Sequence, residues 1–325
     1  MDMDANEPTS LQEAVIYFSD PVNCREYVVS RRWPNGVNCP TCGCSNVNFL
    51  EKQNRWECRE KHSRRQFSLK TGTIYEDSPL GLDKWLVATW LVVNCKNGAS
   101  SCEVARALNI TQKTAWFMDH RIRVSFGLES PEKFTGHVEA DETFIGGKAR
   151  NMHKAERARK ITGTGGKDKT AVMGILERGK DGTSKVRASV IPNRKRKALQ
   201  AEVRKHVKAG SALYTDALKS YEGLNDFEHQ VVDHAVAYVD GKVHTNGLEN
   251  FWSLLKRGIN GTYVSVEPFH LFRYLDEQVY RFNNRKMTDA ERFDIAVRGI
   301  VGKRLTYEQL TGRVENTHSL TVRPL

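Results

Sequence analysis

Two groups of side chains in this 325-residue chain have the types and spacing for chemistry. The first is Cys39-Pro-Thr-Cys42-Gly43 followed by Cys58-Arg-Glu-Lys-His62. Two thiols two residues apart can ligate one tetrahedral ion, and the glycine lets the backbone turn around it. The reading is a zinc ribbon with ligands Cys39, Cys42, Cys58 and His62, and with Cys44 as a rival third thiol. So small a module buries too little core to fold alone, and the metal supplies the missing stability. The second group is acidic. Asp141 lies in a strand pattern, Asp216 ends another, and Glu249 sits on a helix pattern with Asn246 and Lys256 on the same face.

The elements that must position these groups follow from periodicity. Ser10-Leu-Gln-Glu13 is a capping box opening a helix to about Phe18, and a second helix follows Pro21 and ends before Pro34. Val47–Leu50 and Asn54–Trp56 alternate as a small hairpin between the two ligand pairs. Asp83–Asn94 reads as a largely apolar helix. Beyond it, Ser101–Leu108, a short turn and Gln112–Arg121 have the apolar spacing of a helix-turn-helix, which presents Gln112, Lys113 and Trp116 to a major groove. Cys24, Cys95 and Cys102 fall in helix patterns and read as buried small hydrophobes.

From His137 the period changes to two. His137–Phe144, Thr170–Leu176 and Lys185–Ile191 read as strands, the last two joined by a Lys180-Asp-Gly182 turn. A helix over Lys195–Lys208, a strand over Ser211–Thr215, a short strand at His229–Asp233 and a helix from Thr245 complete the order, which fits a ribonuclease-H-like α/β domain. In the last helix Leu248, Phe251, Trp252, Leu255 and Ile259 form the apolar stripe, opposite Asn246, Glu249, Ser253, Lys256 and Asn260. Glu139 and Glu142 are read as alternating away from Asp141 and are left out of the site. The C-terminal region opens with a capping box at Thr288-Asp-Ala-Glu291, carries a helix to about Ile300 and ends as a loose tail after Arg313.

Composition sets the partner class. The chain carries 50 Lys+Arg against 39 Asp+Glu, a net of +11. Residues 142–210 hold 19 Lys+Arg and 6 Asp+Glu, a local surplus of 13, so the whole excess sits in one central segment. Localised positive charge points to a polyanion, most often nucleic acid. Within it, Lys148, Arg150 and Lys154 belong to a loop after the first strand, and Arg194, Lys195, Arg196 and Lys197 open a helix; both are read as tracking the DNA backbone. The odd count of 7 cysteines and the acidic, polar first residues argue against a disulfide framework and a secretory signal. The best apolar run, Leu86–Val93, is far short of the ~20 residues that span a bilayer, so no membrane is expected.

Several strings in order resemble a known family. They are Cys39-Pro-Thr-Cys-Gly43, Gln66-Phe-Ser68 with Thr71–Ser78, Ala140-Asp-Glu-Thr-Phe-Ile-Gly-Gly-Lys148, Tyr214-Thr-Asp216 with Tyr221, His244–Trp252 with Leu255-Lys-Arg257, Gly261-Thr-Tyr263, Tyr274–Glu277 and Arg281-Phe-Asn283. Together they resemble bacterial insertion-sequence DDE transposases of the ISXO type, which carry an N-terminal zinc ribbon. The resemblance spans roughly residues 20–285. It implies metal-dependent DNA cleavage and strand transfer, with two Mg2+ or Mn2+ ions held by Asp141, Asp216 and Glu249. Asp141 is expected to bridge both ions, Lys256 to meet a phosphate and Asn246 to orient a ligand or water. Many relatives have a second Cys-x-x-Cys where this chain has Cys58 and His62, and some use an asparagine of this helix as the third catalytic residue, which here is Asn246. The resemblance also implies a dimer or higher multimer on DNA and a cytoplasmic, nucleoid-associated bacterial protein. The expected division is N-terminal helices over 1–36, zinc ribbon over 37–78, helix-turn-helix over 79–130, catalytic domain over 131–287 and C-terminal helix and tail over 288–325. Two rival readings are a DNA-binding regulator whose nuclease-like domain is inert and a structure-selective DNA nuclease.

Overall fold

The computed structural model describes residues 7–127, 131–146, 153–155, 158, 169–179, 183–232 and 244–313. The chain divides into two compact units, one formed by residues up to Leu128 together with those from Met287, the other by Glu129–Lys286.

The first unit opens with α1 (Leu11–Tyr17) and α2 (Pro21–Arg32). At α1 the Ser10 hydroxyl accepts the Glu13 N–H while the Glu13 carboxylate accepts the Ser10 N–H, closing the expected capping box. The ribbon is an antiparallel sheet in the order β1 (Val47–Leu50), β2 (Arg55–Cys58), β3 (Gln66–Phe67). Asn54, in the left-handed region at φ 49°, turns the chain into β2. β3 is an addition to the expected hairpin. It stacks Phe67 on Trp56, whose other neighbours are Phe49 and Trp33. The helices α3 (Leu82–Asn94), α4 (Ser101–Leu108) and α5 (Gln112–Ser125) follow, with left-handed Asn109 ending α4. Cys24 is buried as expected, but Cys95 caps the end of α3 half-buried and Cys102 is exposed on α4. The fully buried Val104 is two residues on, about 200° around the helix from Cys102, which therefore faces outward.

The second unit is built on β4 (His137–Ile145), β5 (Thr170–Glu177), β6 (Lys185–Ile191), α6 (Arg196–His206), β7 (Ala212–Asp216), β8 (Glu228–Val232), α7 (Asn246–Arg257) and α8 (Leu271–Asn283). The sheet order is β6-β5-β4-β7-β8. β4, β5 and β6 run antiparallel in sequence, whereas β7 lies parallel to β4 and β8 parallel to β7. One face packs Val138, Ala140, Ile175 and Leu213 against Leu199 and Val203 of α6. The other packs Val172, Leu176 and Val186 against Leu248, Phe251, Trp252 and Leu255 of α7 and Leu271 and Leu275 of α8. The stripe of α7 at spacings of three and four residues is thus the face turned to the sheet. The turn expected at Lys180–Gly182 lies outside the described residues.

The chain then returns to the first unit with α9 (Asp289–Arg298) and α10 (Tyr307–Leu310). Phe293 packs its ring against Phe18, Tyr27 and Trp90, and Asp294 pairs with Arg31, which also binds Glu7. The expected tail after Arg313 lies outside the described residues.

Candidate active site and metal centre

The knuckle between α2 and β1 brings Cys39 and Cys42 together because Gly43, at φ 74°, bends the backbone so that its N–H reaches the Cys39 carbonyl. Cys58 ends β2 and His62 follows in the next turn. The ligand atoms of Cys39, Cys42, Cys58 and His62 all lie within 4.8 Å of one another. Cys39 Sγ is 3.5 Å from His62 Nε2, and Cys42 Sγ is 3.6 Å from Cys58 Sγ. A tetrahedral zinc ion with ligands at about 2.0–2.3 Å separates its donors by roughly 3.3–3.8 Å, and these two pairs have that spacing. Burial pushes the Cys39 thiol up, but the amides of Thr41 and Cys42 and the neighbouring thiols outweigh it and hold the thiol below its ordinary range. Cys44 is outside the quartet. Its Sγ accepts the Asn46 N–H at 3.2 Å and faces the Glu60 carboxylate at 3.9 Å.

The acidic group sits on the sheet face covered by α7. The last paired rung between β4 and β7 is Glu139↔Tyr214. Asp141 and Asp216 each stand two residues farther on, at matching positions of adjacent strands. Trp252 Nε1 donates to Asp141 Oδ2 at 2.8 Å. Burial pushes the Asp141 carboxyl up to about 6. The indole bond opposes that rise, and the charges of Glu142 and Asp216 add to it. Asp216 Oδ1 accepts the Leu218 N–H at 3.2 Å, which fixes the turn leaving β7. Two carboxylates at matching strand positions offer hard oxygen donors, the ligand type magnesium and manganese select.

On α7, Asn246, Glu249 and Lys256 are exposed. Among the described residues, the carboxylates of Asp141, Asp216 and Glu249 form no convergent group like that of the four zinc-type ligands.

Glu139 and Glu142 are both engaged. Glu139 does not alternate away from Asp141. It is two residues earlier in β4 and shares its face, because strand side chains repeat every second residue. It is 1% exposed. It accepts Arg178 Nε at 2.7 Å and the Leu248 N–H of α7 at 3.0 Å. Glu142 does point to the other face, where Tyr221 Oη donates to Oε2 at 2.8 Å and Arg194 Nη1 to Oε1 at 3.2 Å. Burial pushes its carboxyl up, and the charge of Asp216 contributes, so Glu142 belongs to the same electrostatic neighbourhood. Period-two counting along β4 identifies Glu139; the partners of Glu142 come from distant segments and leave no local signal.

The cationic and groove-facing candidates divide. Gln112 and Lys113 are exposed and Trp116 is half-buried. Gln112 Nε2 donates to Ser101 Oγ at 2.8 Å, tying the start of α5 to α4. Lys113 Nζ lies 5.0 Å over the Tyr307 ring, and Trp116 meets His120 edge-on at 4.8 Å. Arg194, Lys195, Arg196 and Lys197 are all exposed at the start of α6, with Lys195 its N-cap. Arg194 lies 4.6 Å over the Phe144 ring and Arg196 pairs with Glu222 at 3.4 Å. Lys154 is exposed, while Lys148 and Arg150 lie outside the described residues.

Residues 133–283 match the ISXO2-like transposase domain, and residues 20–64 match the transposase zinc-ribbon domain. An "uncharacterized protein in transposable element ISH50" of Halobacterium salinarum is 26% identical over 242 residues, covering 70% of this chain and 80% of the relative. An "uncharacterized transposase-like protein" of Haemophilus influenzae is 32% identical over 105 residues, covering 32% of this chain and 85% of the relative. No solved structure matches the chain. No described helix is long and apolar enough to cross a membrane. The metal quartet falls within the zinc-ribbon match, and Asp141, Asp216 and Trp252 fall within the transposase-domain match, so the chain belongs to the insertion-sequence transposase family that joins a zinc ribbon to an ISXO2-like transposase domain.

Proposed function

We propose that this chain is a DDE transposase that binds double-stranded DNA at the ends of its element and carries out strand cleavage followed by strand transfer, working as a homodimer or higher multimer. The observation that carries the reading is the placement of Asp141 and Asp216 at matching positions on the adjacent parallel strands β4 and β7. The sheet order, with three antiparallel strands followed by two parallel ones, supports a ribonuclease-H-like catalytic domain. The α4–turn–α5 arrangement supports a helix-turn-helix.

Asp141, Asp216 and Glu249 are the residues assigned to hold divalent cations, with Asn246 as the rival third ligand. When bound, such ions neutralise phosphate charge and activate the attacking oxygen of an in-line displacement. The chain's own part is orientation. Trp252 sets the direction of the Asp141 carboxylate. Lys256 supplies a cation on the same helix face as Glu249 for a phosphate near the cut. Lys148, Arg150, Lys154 and the run Arg194–Lys197 track the DNA backbone without reading sequence, while Gln112, Lys113 and Trp116 face the groove. The quartet of Cys39, Cys42, Cys58 and His62 holds a structural zinc that stabilises the ribbon.

The test is a cleavage and joining assay on labelled element ends. Wild-type protein is expected to nick and join with Mg2+ or Mn2+, while Asp141→Asn binds the same DNA and does neither. Specific binding with no nicking by the wild type would identify an inert nuclease-like domain. Hydrolysis with no joining would identify a nuclease.

A further inference from the structure

Gly174 pairs directly with Asp141 across β5 and β4. Its φ is not positive, so conformational freedom is not the reason for a glycine at that rung. Space is the reason. A Cβ built there would lie 2.7 Å from Trp252 Cζ2, 2.8 Å from Trp252 Cη2 and 2.8 Å from Leu248 Cδ2. Glycine inside a strand weakens it and commonly marks a close approach. Here the group that approaches is the six-membered ring of the indole, on the side that carries Nε1, the donor to Asp141.

We propose that Trp252 and Gly174 form a positioning pair for the candidate cation site, in which Gly174 clears the strand surface so that the Trp252 indole can lie across it and hold Asp141 by one oxygen. The inference rests on the reading of Asp141 as a cation ligand and adds the residues that orient it. Three observations support it. Trp252 is 4% exposed and packed among Phe251, Leu248 and the strand residues of the α7 face, so the ring has no room to rotate. An indole N–H donates and cannot accept, so it orients the carboxylate without competing with it for a cation. Trp252 is also three residues from Glu249 on α7, so the bond to Asp141 sets the register of the helix that carries the third acid. Groups that hydrogen-bond a metal's ligands set affinity through orientation, and their loss weakens binding by about 10–100-fold.

The experiment measures Mn2+ binding by electron paramagnetic resonance on the full-length, zinc-loaded protein. Trp252→Phe keeps a ring but removes the N–H and is expected to weaken Mn2+ binding about tenfold or more. Gly174→Ala is expected to do the same by displacing the indole. In the Trp252→Phe background, Gly174→Ala is expected to weaken Mn2+ binding little further, because phenylalanine lacks the two ring atoms the new methyl would strike, and the clash that remains is with the end of the flexible Leu248 side chain, which does not hold Asp141. Wild-type affinity in Trp252→Phe, or full additivity of the two changes, overturns the pair. Asp141→Asn separates the two levels. If it abolishes Mn2+ binding while Trp252→Phe does not weaken it, the positioning role alone fails; if Asp141→Asn leaves binding intact, the cation-site reading itself fails. A second measurement is made on the wild type, with Trp252→Phe identifying the resonance among those of the 6 tryptophans. The Trp252 indole resonance in 1H–15N spectra of the wild type is expected to shift along the Mg2+ binding curve, and a resonance that stays fixed overturns the proposal.

Discussion

The Glu139 carboxylate accepts the backbone N–H of Leu248, 109 residues later in the chain, at 3.0 Å. Its other oxygen takes Arg178 Nε at 2.7 Å. A buried anion at the start of a helix satisfies an orphan amide and opposes the positive end of the helix dipole. One carboxylate therefore fixes where α7 meets the sheet, and with it the position of Trp252 above Asp141. Glu139→Ala removes the carboxylate from Arg178, which keeps its bonds to His244, and from the start of α7, and is expected to cost about 1–3 kcal/mol. Glu139→Gln, which keeps an acceptor, is expected to cost less. Urea denaturation of both variants checks the order.

Asp141 gives a pH signature. Its carboxyl is pushed up to about 6 in the folded chain, chiefly by burial. In the unfolded chain it titrates near its ordinary value of about 3.9. The folded state therefore binds this proton more tightly, and stability falls as pH rises from about 4 to about 6, then stays at the lower level. Asp141→Asn removes the penalty. Without added divalent cation, its melting temperature is expected to exceed that of the wild type at pH 7.5, by an amount equivalent to at most about 3 kcal/mol. The gain is expected to vanish near pH 4. Calorimetry at the two pH values decides it, and an equal gain at both would contradict the burial argument.

The ribbon makes a distinction between thiols. Cys58→Ser removes a member of the quartet and is expected to lose bound zinc and the folding of residues 37–78. Cys44→Ser is expected to keep one zinc per chain, because its sulfur faces Asn46 and Glu60 instead. Metal analysis of the purified variants, with ribbon folding followed by near-ultraviolet dichroism of Trp56, tests both.

The basic run at the start of α6 predicts a salt dependence. Replacing Arg194, Lys195, Arg196 and Lys197 with glutamine is expected to weaken binding to any duplex and to lower the salt slope by roughly 2–4, about one for each phosphate left without its cation. Arg194 and Arg196 are already paired with Glu142 and Glu222, so Lys195 and Lys197 are expected to carry the larger share. Titrations on an unrelated duplex at several salt concentrations measure it. An unchanged slope would make the run an ordinary solvated surface.

Local spacing determined much of this protein. Two short ligand pairs define the quartet, capping boxes mark the starts of α1 and α9, and the alternation of His137–Phe144 places Asp141 in a strand. These features repeat over a few residues, so their physics is local. The surroundings of the acidic site are not. That Glu139 secures α7, that Tyr221 and Arg194 hold Glu142, and that Gly174 admits Trp252 to Asp141 depend on pairings across 33 to 111 residues. Side chains from separate segments meet only after the sheet sets its strand order, and burial then moves their charges in ways that no stretch of sequence carries by itself.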